Sequence, residues 1–268
     1  MALRTANIIS VVSCVNNFEK YDRFVRNSFK AEQRDGTIEL ITVDNVSNRY
    51  SAPAALNRGL ERAGGEIIIF CHQDVAFPEK WTEALLGQIA IVEQFQKEWG
   101  VLGTFGVAKN GMSAGHVIDY CGHFNCGPLP VKVQSLDEHC LIIRKGSGLR
   151  FDEQLGGFHL YGADICLEAM ARGLANFAID ACVKHESPGG VVDDNFDAVM
   201  QMLFRKWKSR NPPIPVIETT CRSCRLKGGI TGLIADKIER YKKKQRRMRI
   251  KELINSGVDI RTLRHDSI

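Results

Sequence analysis

The sequence Glu66-Ile67-Ile68-Ile69-Phe70-Cys71-His72-Gln73-Asp74-Val75-Ala76-Phe77-Pro78 decides the fold. Its four consecutive large apolar residues predict a strand that is buried on both faces, as in a parallel sheet. The strand ends in a polar cluster, and ligands of open α/β sheets bind just beyond the carboxyl ends of strands. Because side chains alternate along an extended segment, His72 and Asp74 can point the same way and hold a divalent cation. The alternative is a polar strand end that enters a solvated turn.

Strands and helices alternate ahead of this stretch. Strands are predicted over residues 7–15 and 38–43, and helices over 19–29 and 51–63. Ser51 can cap the second helix and Pro53 suits its first turn. Two strand–helix–strand units within the first 75 residues indicate a parallel, right-handed α/β sheet.

The rest of the chain continues the α/β pattern less regularly. Apolar patterns predict helices over 81–95, 165–172 and 196–208, and strands over 101–107, 140–143 and 176–183. Residues 109–130 are rich in Gly, Asn and Pro, and an irregular loop is predicted there. Because Pro212, Pro213 and Pro215 mark a linker, we expect one domain over residues 1–210 and a basic helical extension over 211–268.

Composition indicates an ordinary soluble globular protein, with 44% hydrophobic and 25% charged residues among 268. No run of 18 apolar residues predicts a membrane-spanning helix. The apolar run 8–15 is short and lacks a convincing cleavage site, so it is interpreted as the first strand. Nine cysteines without a disulfide framework predict reduced thiols and a cytoplasmic location.

Seven of the nine cysteines fall into two groups. Those in apolar surroundings are expected to be small core residues; they are Cys14, Cys71, Cys140, Cys166 and Cys182. Cys221 and Cys224 form a lone CxxC pair, and a zinc site would require a second pair.

The net charge of +5 is concentrated near the C-terminus. Residues 237–251 carry nine Lys or Arg and one acid, so the remainder of the chain is mildly acidic. This basic tail is interpreted as a solvated helix, as a surface for anionic lipid, or as a nucleic-acid patch. Nucleic acid is the least expected partner because no aromatic-rich or motif-bearing module accompanies the charge.

An ordered set of motifs carries a family resemblance. The set is Val43-Asp44-Asn45, Asn57-Arg58-Gly59, Ala63-Gly64-Gly65-Glu66, His72-Gln73-Asp74, Leu136-Asp137-Glu138, Phe151-Asp152-Glu153, the segment 158–167, and His185 with Ser187. It resembles family 2 of the GT-A fold glycosyltransferases, a large inverting group, and in particular a subgroup in which HQD replaces the usual DxD motif. The resemblance covers residues 7–208.

The resemblance implies a fold and a reaction. The fold is α/β of the GT-A type, Rossmann-like, with a mostly parallel central sheet flanked by helices. The reaction is metal-dependent, inverting transfer of a sugar from a nucleotide-sugar donor to a hydroxyl of a glycan or lipid-linked glycan acceptor, as in glycan or polysaccharide assembly. A lipid-linked acceptor would favour docking of the basic tail on the inner membrane face.

The resemblance also implies a metal site and a base. Asp74 and His185 are expected to hold Mn²⁺ or Mg²⁺. His72 stands where DxD has its first acid, and it is expected to contact the ribose or a phosphate, or to serve as a second ligand that suits Mn²⁺ better than Mg²⁺. Asp164 is the expected catalytic base, with a helix N-cap as its alternative role.

Donor binding is expected at polar residues around the same sheet edge. These residues are Ser13, Asp44, Asn45, Asn57, His72, Asp137 and His159, of which Asp137 and His159 are also reserve candidates for the base. The alternative for Asp44, Asn45 and Asn57 is turn and cap chemistry. Other members carry a Glu-Asp pair where this chain has Tyr161 and Gly162.

Two other functions stay open at this point. A nucleotidyltransferase shares the nucleotide-binding core, but its Gly-rich signature with Arg and Lys is missing after the first strand, at residues 13–17. A non-enzymatic sugar- or nucleotide-binding module is the other alternative, since the first acid of DxD and the Glu-Asp pair are both replaced.

Overall fold

The computed structural model describes residues 9–120, 122–186, 194–211, 214, 216–221 and 224–225. The predicted basic helix of the extension and Ser187 lie outside these residues. The described strands are β1 (Ile9–Val15), β2 (Ile38–Asp44), β3 (Ile67–Cys71), β4 (Val75–Ala76), β5 (Trp99–Gly103), β6 (Phe105–Val107), β7 (Ser113–Asp119), β8 (Gly122–Cys126), β9 (Val131–Val133), β10 (Ser135–Leu136), β11 (Cys140–Arg144), β12 (Ala175–Ala178), β13 (Val183–His185), β14 (Val216–Ile217) and β15 (Cys224–Arg225). The α-helices are α1 (Phe18–Tyr21), α2 (Lys30–Arg34), α3 (Ala52–Arg62), α4 (Trp81–Phe95), α5 (Tyr161–Ala171) and α6 (Asp194–Lys208), and a π-helical segment, Asp22–Arg26, follows α1.

A seven-stranded sheet forms the centre of the molecule, in the order β2-β1-β3-β11-β5-β12-β9. Strands β1, β2 and β3 pair in parallel, as the first two strand–helix–strand units predict. Strand β11 runs antiparallel to both β3 and β5. A second sheet, β10-β6-β7-β13-β4 with β8 beside β7, lies beyond the carboxyl end of β3.

Strand β3 is buried on both faces, as its sequence predicts. Ile68 and Phe70 belong to one apolar cluster, which includes residues of α3 and α5. Ile69 and Cys71 belong to another, which includes residues of α4. Because every side chain of the strand's carboxyl half packs in an apolar layer, the polar residues that follow it are held in a fixed place.

The motif Asn57-Arg58-Gly59 is explained by packing. A Cβ atom on Gly59 would lie 2.2 Å from Val12 Cγ1, so α3 can approach β1 this closely only with glycine at that position. The Asn57 amide group donates to Phe151 O at 2.9 Å, and its oxygen accepts from Phe151 N at 3.0 Å. Both motif residues therefore hold α3 against its neighbours.

Three sequence predictions of local structure differ from the structure. The predicted loop over residues 109–130 contains a hairpin of β7 and β8, which pair from Gly115 with Cys126 to Asp119 with Gly122. Its glycines were interpreted as loop signals, but Gly115 has φ +136, and a Cβ there would lie 2.3 Å from Thr104 O. The strand predicted over 101–107, with interruptions at Gly103 and Gly106, is two strands, because β5 joins the central sheet and β6 the second sheet. The strand predicted over 176–183 likewise divides into β12 of the central sheet and β13 of the second sheet.

A segment beyond the predicted domain boundary packs onto the α/β body. Ile217 is fully buried among residues of α5 and α6. Ser135 Oγ donates to Glu218 O, and Thr220 Oγ1 donates to Asp137 Oδ2 at 2.9 Å. The division at residue 210 stays a prediction, and residues 216–220 belong structurally with the body. Within the described parts of the chain, none of the helices has the length and apolarity that crossing a bilayer requires.

Candidate active site

Three potential metal ligands meet beyond the carboxyl end of β3. His185 Nε2 lies 3.4 Å from Asp74 Oδ1 and 3.4 Å from His72 Nδ1. One ligand atom from each of the three residues lies within 4.8 Å of the others. His185 reaches this place because β13 pairs antiparallel with β4, which sets His185 opposite Val75. The structure thus brings the expected ligands Asp74 and His185 together and adds His72 as a third.

Neighbouring side chains orient this triad. Tyr161 Oη lies 3.0 Å from His72 Nε2, so the ring is held with Nδ1 toward His185. Gln73 Oε1 accepts hydrogen bonds from the backbone N–H groups of Asn16 and Asn17, which fixes the turn against the end of β1. A histidine ligand whose second nitrogen is hydrogen-bonded keeps its tautomer and ring orientation, so the arrangement suits metal binding.

The protonation states also suit a cation. Burial, together with the charge of His185, lowers the pKa of His72 to about 4, so this imidazole is neutral at pH 7. Burial raises the pKa of Asp74, but the hydrogen bond and charge of His185, with His72 and Lys20, outweigh it and bring the value to about 2. One carboxylate and one neutral imidazole are therefore available without loss of a proton. Burial lowers the pKa of His185, but its hydrogen bond with Asp74 and the charge of that residue outweigh burial and raise it, so a cation competes with a proton at this third ligand.

A buried polar chain supports the triad from behind. His139 stacks on His185, with ring centroids 5.5 Å apart. Its Nδ1 lies 2.7 Å from Asp137 Oδ1 and its Nε2 lies 2.6 Å from Thr104 Oγ1. Burial raises the pKa of Asp137, but the charge and hydrogen bond of His139 hold it well below its usual range. Both carboxylate oxygens of Asp137 are therefore hydrogen-bonded. His139 was not predicted as a site residue, because its position after Asp137-Glu138 is the one feature of the sequence that points to it.

A cavity of about 190 Å³ opens beside the triad, between the ends of β1 and β3 and the start of α5. It is lined by His72, Asp74, Asn45, Glu138 and the exposed ring of Phe158, among others. This volume is smaller than the roughly 300–1,000 Å³ of a typical ligand pocket, so the cavity would hold only part of a nucleotide sugar. The predicted residue Asn45 lines the cavity. Its amide group also donates to Tyr50 O and accepts from Tyr50 N, both at 2.9 Å, which stabilises the loop after β2.

Glu138 is a second carboxylate, besides Asp74, that lines this cavity. Its Oε1 accepts from Gly162 N at 3.2 Å. A Cβ on Gly162 would lie 3.1 Å from Glu138 Cγ and 2.8 Å from Leu136 O, so glycine leaves room for Glu138. Burial and the neighbouring charge of Asp137 raise the pKa of Glu138 to about 8. Sequence reasoning named Glu138 only as part of a motif and assigned it no role.

Asp164 lies away from the cavity, in the contact between α5 and α6. Its Oδ2 is 2.7 Å from Lys206 Nζ, and its Oδ1 accepts from Trp207 Nε1 at 2.7 Å. Burial raises its pKa in spite of the adjacent Lys206. Because both oxygens are occupied and the residue is only 2% exposed, this placement argues against the predicted role as catalytic base.

The other predicted donor-binding residues are scattered. Ser13 is buried beneath the site, 3.2 Å from Cys71 Sγ. Asp44 is exposed at the end of β2 and accepts from Val46 N at 3.1 Å. Asn57 is consumed by its contacts with Phe151, and the His159 ring packs against Phe196, with centroids 5.5 Å apart. The structure therefore brings Asn45 and His72 to the cavity, and it does not bring Asn57, His159 or Asp164 there.

A larger open groove of about 870 Å³ lies elsewhere, between α4 and the segment after β11. Its floor includes Trp99 and the ion pair of Arg144 with Glu93. It contains none of the predicted site residues and no cluster of potential metal ligands within the described parts of the chain. The smaller cavity, which is lined by His72, Asp74 and Glu138, is therefore the candidate active site.

Comparisons with known proteins establish the fold. No family model matches the chain. A solved structure, that of GalNAc-T7 with UDP, GalNAc and Mn²⁺, matches with a TM-score of 0.51 and 12% identity over 78% of this chain. The match spans 49% of the GalNAc-T7 chain, about half its length. This likeness and the sheet topology confirm the predicted GT-A α/β fold.

Two further similarities complete the comparison. The mannosyltransferase PcManGT from Pyrobaculum calidifontis, in complex with GDP-Man and Mn²⁺, matches with a TM-score of 0.49 and 12% identity over 75% of this chain and 63% of its own. A protein of Fuscovulum blasticum described as "ATP synthase subunits region ORF 6" is 29% identical over 209 residues, which cover 75% of this chain and 84% of the relative. Its description names no activity.

Proposed function

We propose that this protein is a metal-dependent glycosyltransferase that moves a sugar from a nucleoside diphosphate donor to a hydroxyl acceptor, with inversion. The observation that carries the proposal is the triad of His72, Asp74 and His185 at the carboxyl end of β3 in a GT-A fold. In such folds this edge of the sheet is where ligands bind. The UDP and Mn²⁺ named for the GalNAc-T7 structure support the same assignment, as does the HQD subgroup that the sequence resembles.

The ligand set favours Mn²⁺ over Mg²⁺. Mg²⁺ prefers oxygen ligands and retains its waters, whereas imidazole suits Mn²⁺ better. Two imidazoles and one carboxylate converge here. When bound, the cation would neutralise the charge that develops on the diphosphate leaving group. Tyr161, through its contact with His72, keeps one of these ligands in position.

Glu138 is the base in this proposal. A base is most effective when its pKa lies near the working pH, and burial with the charge of Asp137 brings the pKa of Glu138 to about 8. Its carboxylate borders the same cavity as His72 and Asp74. In the deprotonated state it would take the proton of the acceptor hydroxyl as that oxygen attacks the anomeric carbon. The hydrogen bond from Gly162 holds the carboxylate in place.

Nucleotide binding by the full-length protein tests the proposal. We expect UDP or GDP to raise the melting temperature with Mn²⁺ present, to raise it less with Mg²⁺, and to leave it unchanged in EDTA. A ligand at 100 times its Kd contributes about 2.7 kcal/mol to the free energy of unfolding. Nucleoside monophosphates are the control. A donor screen by released nucleoside diphosphate then identifies the sugar. If no nucleoside diphosphate binds with any divalent cation, the proposal fails.

We also propose that the basic tail, residues 237–251, docks the protein on an anionic membrane surface, as a lipid-linked acceptor would favour. Residues 237–251 carry nine basic side chains, and each contributes about 1 kcal/mol near anionic lipid. We expect the full chain to co-sediment with vesicles that contain phosphatidylglycerol at low salt. A variant with Lys242, Lys243, Lys244, Arg246 and Arg247 all replaced by Gln should not. Substitution is preferable to truncation at Pro215, because residues 216–220 pack on the body. Equal binding of the two proteins would refute membrane docking.

A further inference from the structure

A second cluster of potential metal ligands lies on the β7–β8 hairpin and is separate from the proposed active site. His116 Nε2 lies 2.8 Å from His123 Nε2. Ligand atoms of His116, His123 and Cys182 all lie within 4.8 Å of one another. Cys182 is half-buried, although the sequence predicted a core residue. This cluster is not apparent from the sequence, whose composition predicts a loop where the hairpin lies.

Strand register explains why these three side chains converge. In β7 and β8 Ile118 faces His123, so His116 and His123 are diagonal neighbours on one face of the hairpin. In β7 and β13 Val117 faces Val183, which places Cys182 beside His116. Three neighbouring segments therefore each supply one ligand to the same face.

An outer carboxylate completes the arrangement. His116 Nδ1 lies 2.6 Å from Asp180 Oδ1, and the backbone N–H of Asp180 donates to Gln88 Oε1 at 3.1 Å. When Nδ1–H of His116 is donated to Asp180, the electron pair of the ring lies at Nε2, which faces His123 Nε2 and Cys182. This carboxylate–histidine pairing is the usual support of a metal-bound histidine.

We infer that His116, His123 and Cys182 bind a Zn²⁺ ion, with Asp180 orienting His116. Imidazole and thiolate are the ligands that Zn²⁺ favours, and three protein ligands with one further ligand such as water make a tetrahedral site. Tetrahedral geometry would separate the two Nε2 atoms by roughly 3.3 Å, so the exposed His123 ring needs to move by about half an ångström. Binding deprotonates the Cys182 thiol, and one proton is released per ion.

The expected role of this ion is to fasten the hairpin to β13. Cys182 precedes β13 directly, and the same strand ends in His185 of the proposed active site. Side chains at 182 and 185 differ by an odd number of positions along an extended segment, so they project from opposite faces. The two clusters of ligands are therefore distinct. The ion bound by His116, His123 and Cys182 would fix β13 against the hairpin, and β13 carries His185 to the proposed active site.

Cobalt substitution tests this inference, because Cys182 is the single thiol in the two clusters. Full-length protein stripped of metal and titrated with Co²⁺ should develop a near-ultraviolet thiolate-to-Co²⁺ charge-transfer band, which Zn²⁺ then displaces. The Cys182→Ser variant should lose the band. Asp180→Asn should weaken Co²⁺ binding by 10–100-fold, as loss of an outer hydrogen bond to a metal ligand does.

Matched variants separate this site from others. Cys126→Ser, on the opposite face of the same hairpin, should keep the band, as should Cys221→Ser in the CxxC pair. Asp74→Ala should also keep it, which makes the result independent of the proposed glycosyltransferase site. A missing band in the wild-type protein, or one that persists in Cys182→Ser, would overturn the inference. Asp180, His116 and His123 would then form only a hydrogen-bonded chain.

Discussion

Replacement of Asp74 by Ala should abolish Mn²⁺-dependent binding of nucleoside diphosphate and, with it, sugar transfer. Asp74 is the one carboxylate of the triad, and its oxygens lie 3.4 Å from His185 Nε2 and 3.6 Å from Lys20 Nζ. Without it the cation would keep two imidazole ligands and lose its anionic one. We expect nucleotide affinity in Mn²⁺ to fall about 100-fold or more, a loss of at least roughly 3 kcal/mol.

The same replacement has a cost in stability that must be measured alongside. The pKa of Asp74 is depressed to about 2 in the folded protein, so its charge stabilises the fold above the unfolded value of 3.8. That stabilisation is lost as pH falls through about 2, and the Ala variant lacks it at every pH. At pH 7 the loss is roughly 2 kcal/mol. Binding should therefore be compared well below the melting temperature of both proteins.

Asp22→Ala is a suitable control, because Asp22 is an exposed carboxylate whose ion-pair partner is Arg26. It should bind nucleoside diphosphate and Mn²⁺ as the wild-type protein does. Undiminished Mn²⁺-dependent binding in the Asp74 variant would remove the triad from the proposed mechanism.

The fold was predictable where local pattern and burial agree. The isoleucine run of β3 is stable in a sheet that is covered on both faces, and β3 lies in such a sheet. The predicted bounds of α4 match those observed, because its apolar residues repeat at helical spacing. His72 and Asp74 were predictable as a pair from their position after β3. That His185 joins them depends on the pairing of β13 with β4, which connects residues more than 100 positions apart.

The role of Asp164 was not predictable for a related reason. Its position in the first turn of a helix is visible in the sequence, but its partners Lys206 and Trp207 lie on α6, about 40 residues further on. The local sequence pattern does not indicate that α6 packs against α5. The cluster of His116, His123 and Cys182 was hidden by composition, since Gly115 and Gly122 of the Gly-rich stretch 109–130 lie in the paired strands of a hairpin.

Replacement of Glu138 by Gln should remove transfer while nucleotide binding persists. Loss of a positioned base typically lowers the rate by 10²–10⁴-fold. Glu138 accepts its hydrogen bond from Gly162 and is not a member of the triad, so Mn²⁺-dependent nucleoside diphosphate affinity should stay within a few-fold of wild type. In the wild-type protein kcat/KM should rise with pH through about 8, because the deprotonated form is the active one.

The same variant should be more stable than the wild-type protein, because Glu138 is an acid whose pKa is raised by burial and by the charge of Asp137. Its folded pKa is raised, so the protonated form is favoured and its contribution to stability is complete below the unfolded value of about 4.5. That contribution is lost as pH rises toward 8, whereas Gln keeps an uncharged side chain throughout. The melting temperature of Glu138→Gln should thus exceed that of wild type by several degrees at pH 8 and by less at pH 5.

Asp164→Asn distinguishes the two candidate bases, since it leaves the Trp207 hydrogen bond possible and leaves Lys206 paired with Asp152 at 2.8 Å. It should keep transfer within a few-fold of wild type and should not lower the free energy of unfolding at neutral pH, because burial raises the pKa of Asp164 and Asn carries no charge to bury. The opposite pattern, with transfer lost in Asp164→Asn and retained in Glu138→Gln, would return the base to Asp164. A carboxylate held between two donors on α6 would then have to leave both of them to reach the acceptor hydroxyl.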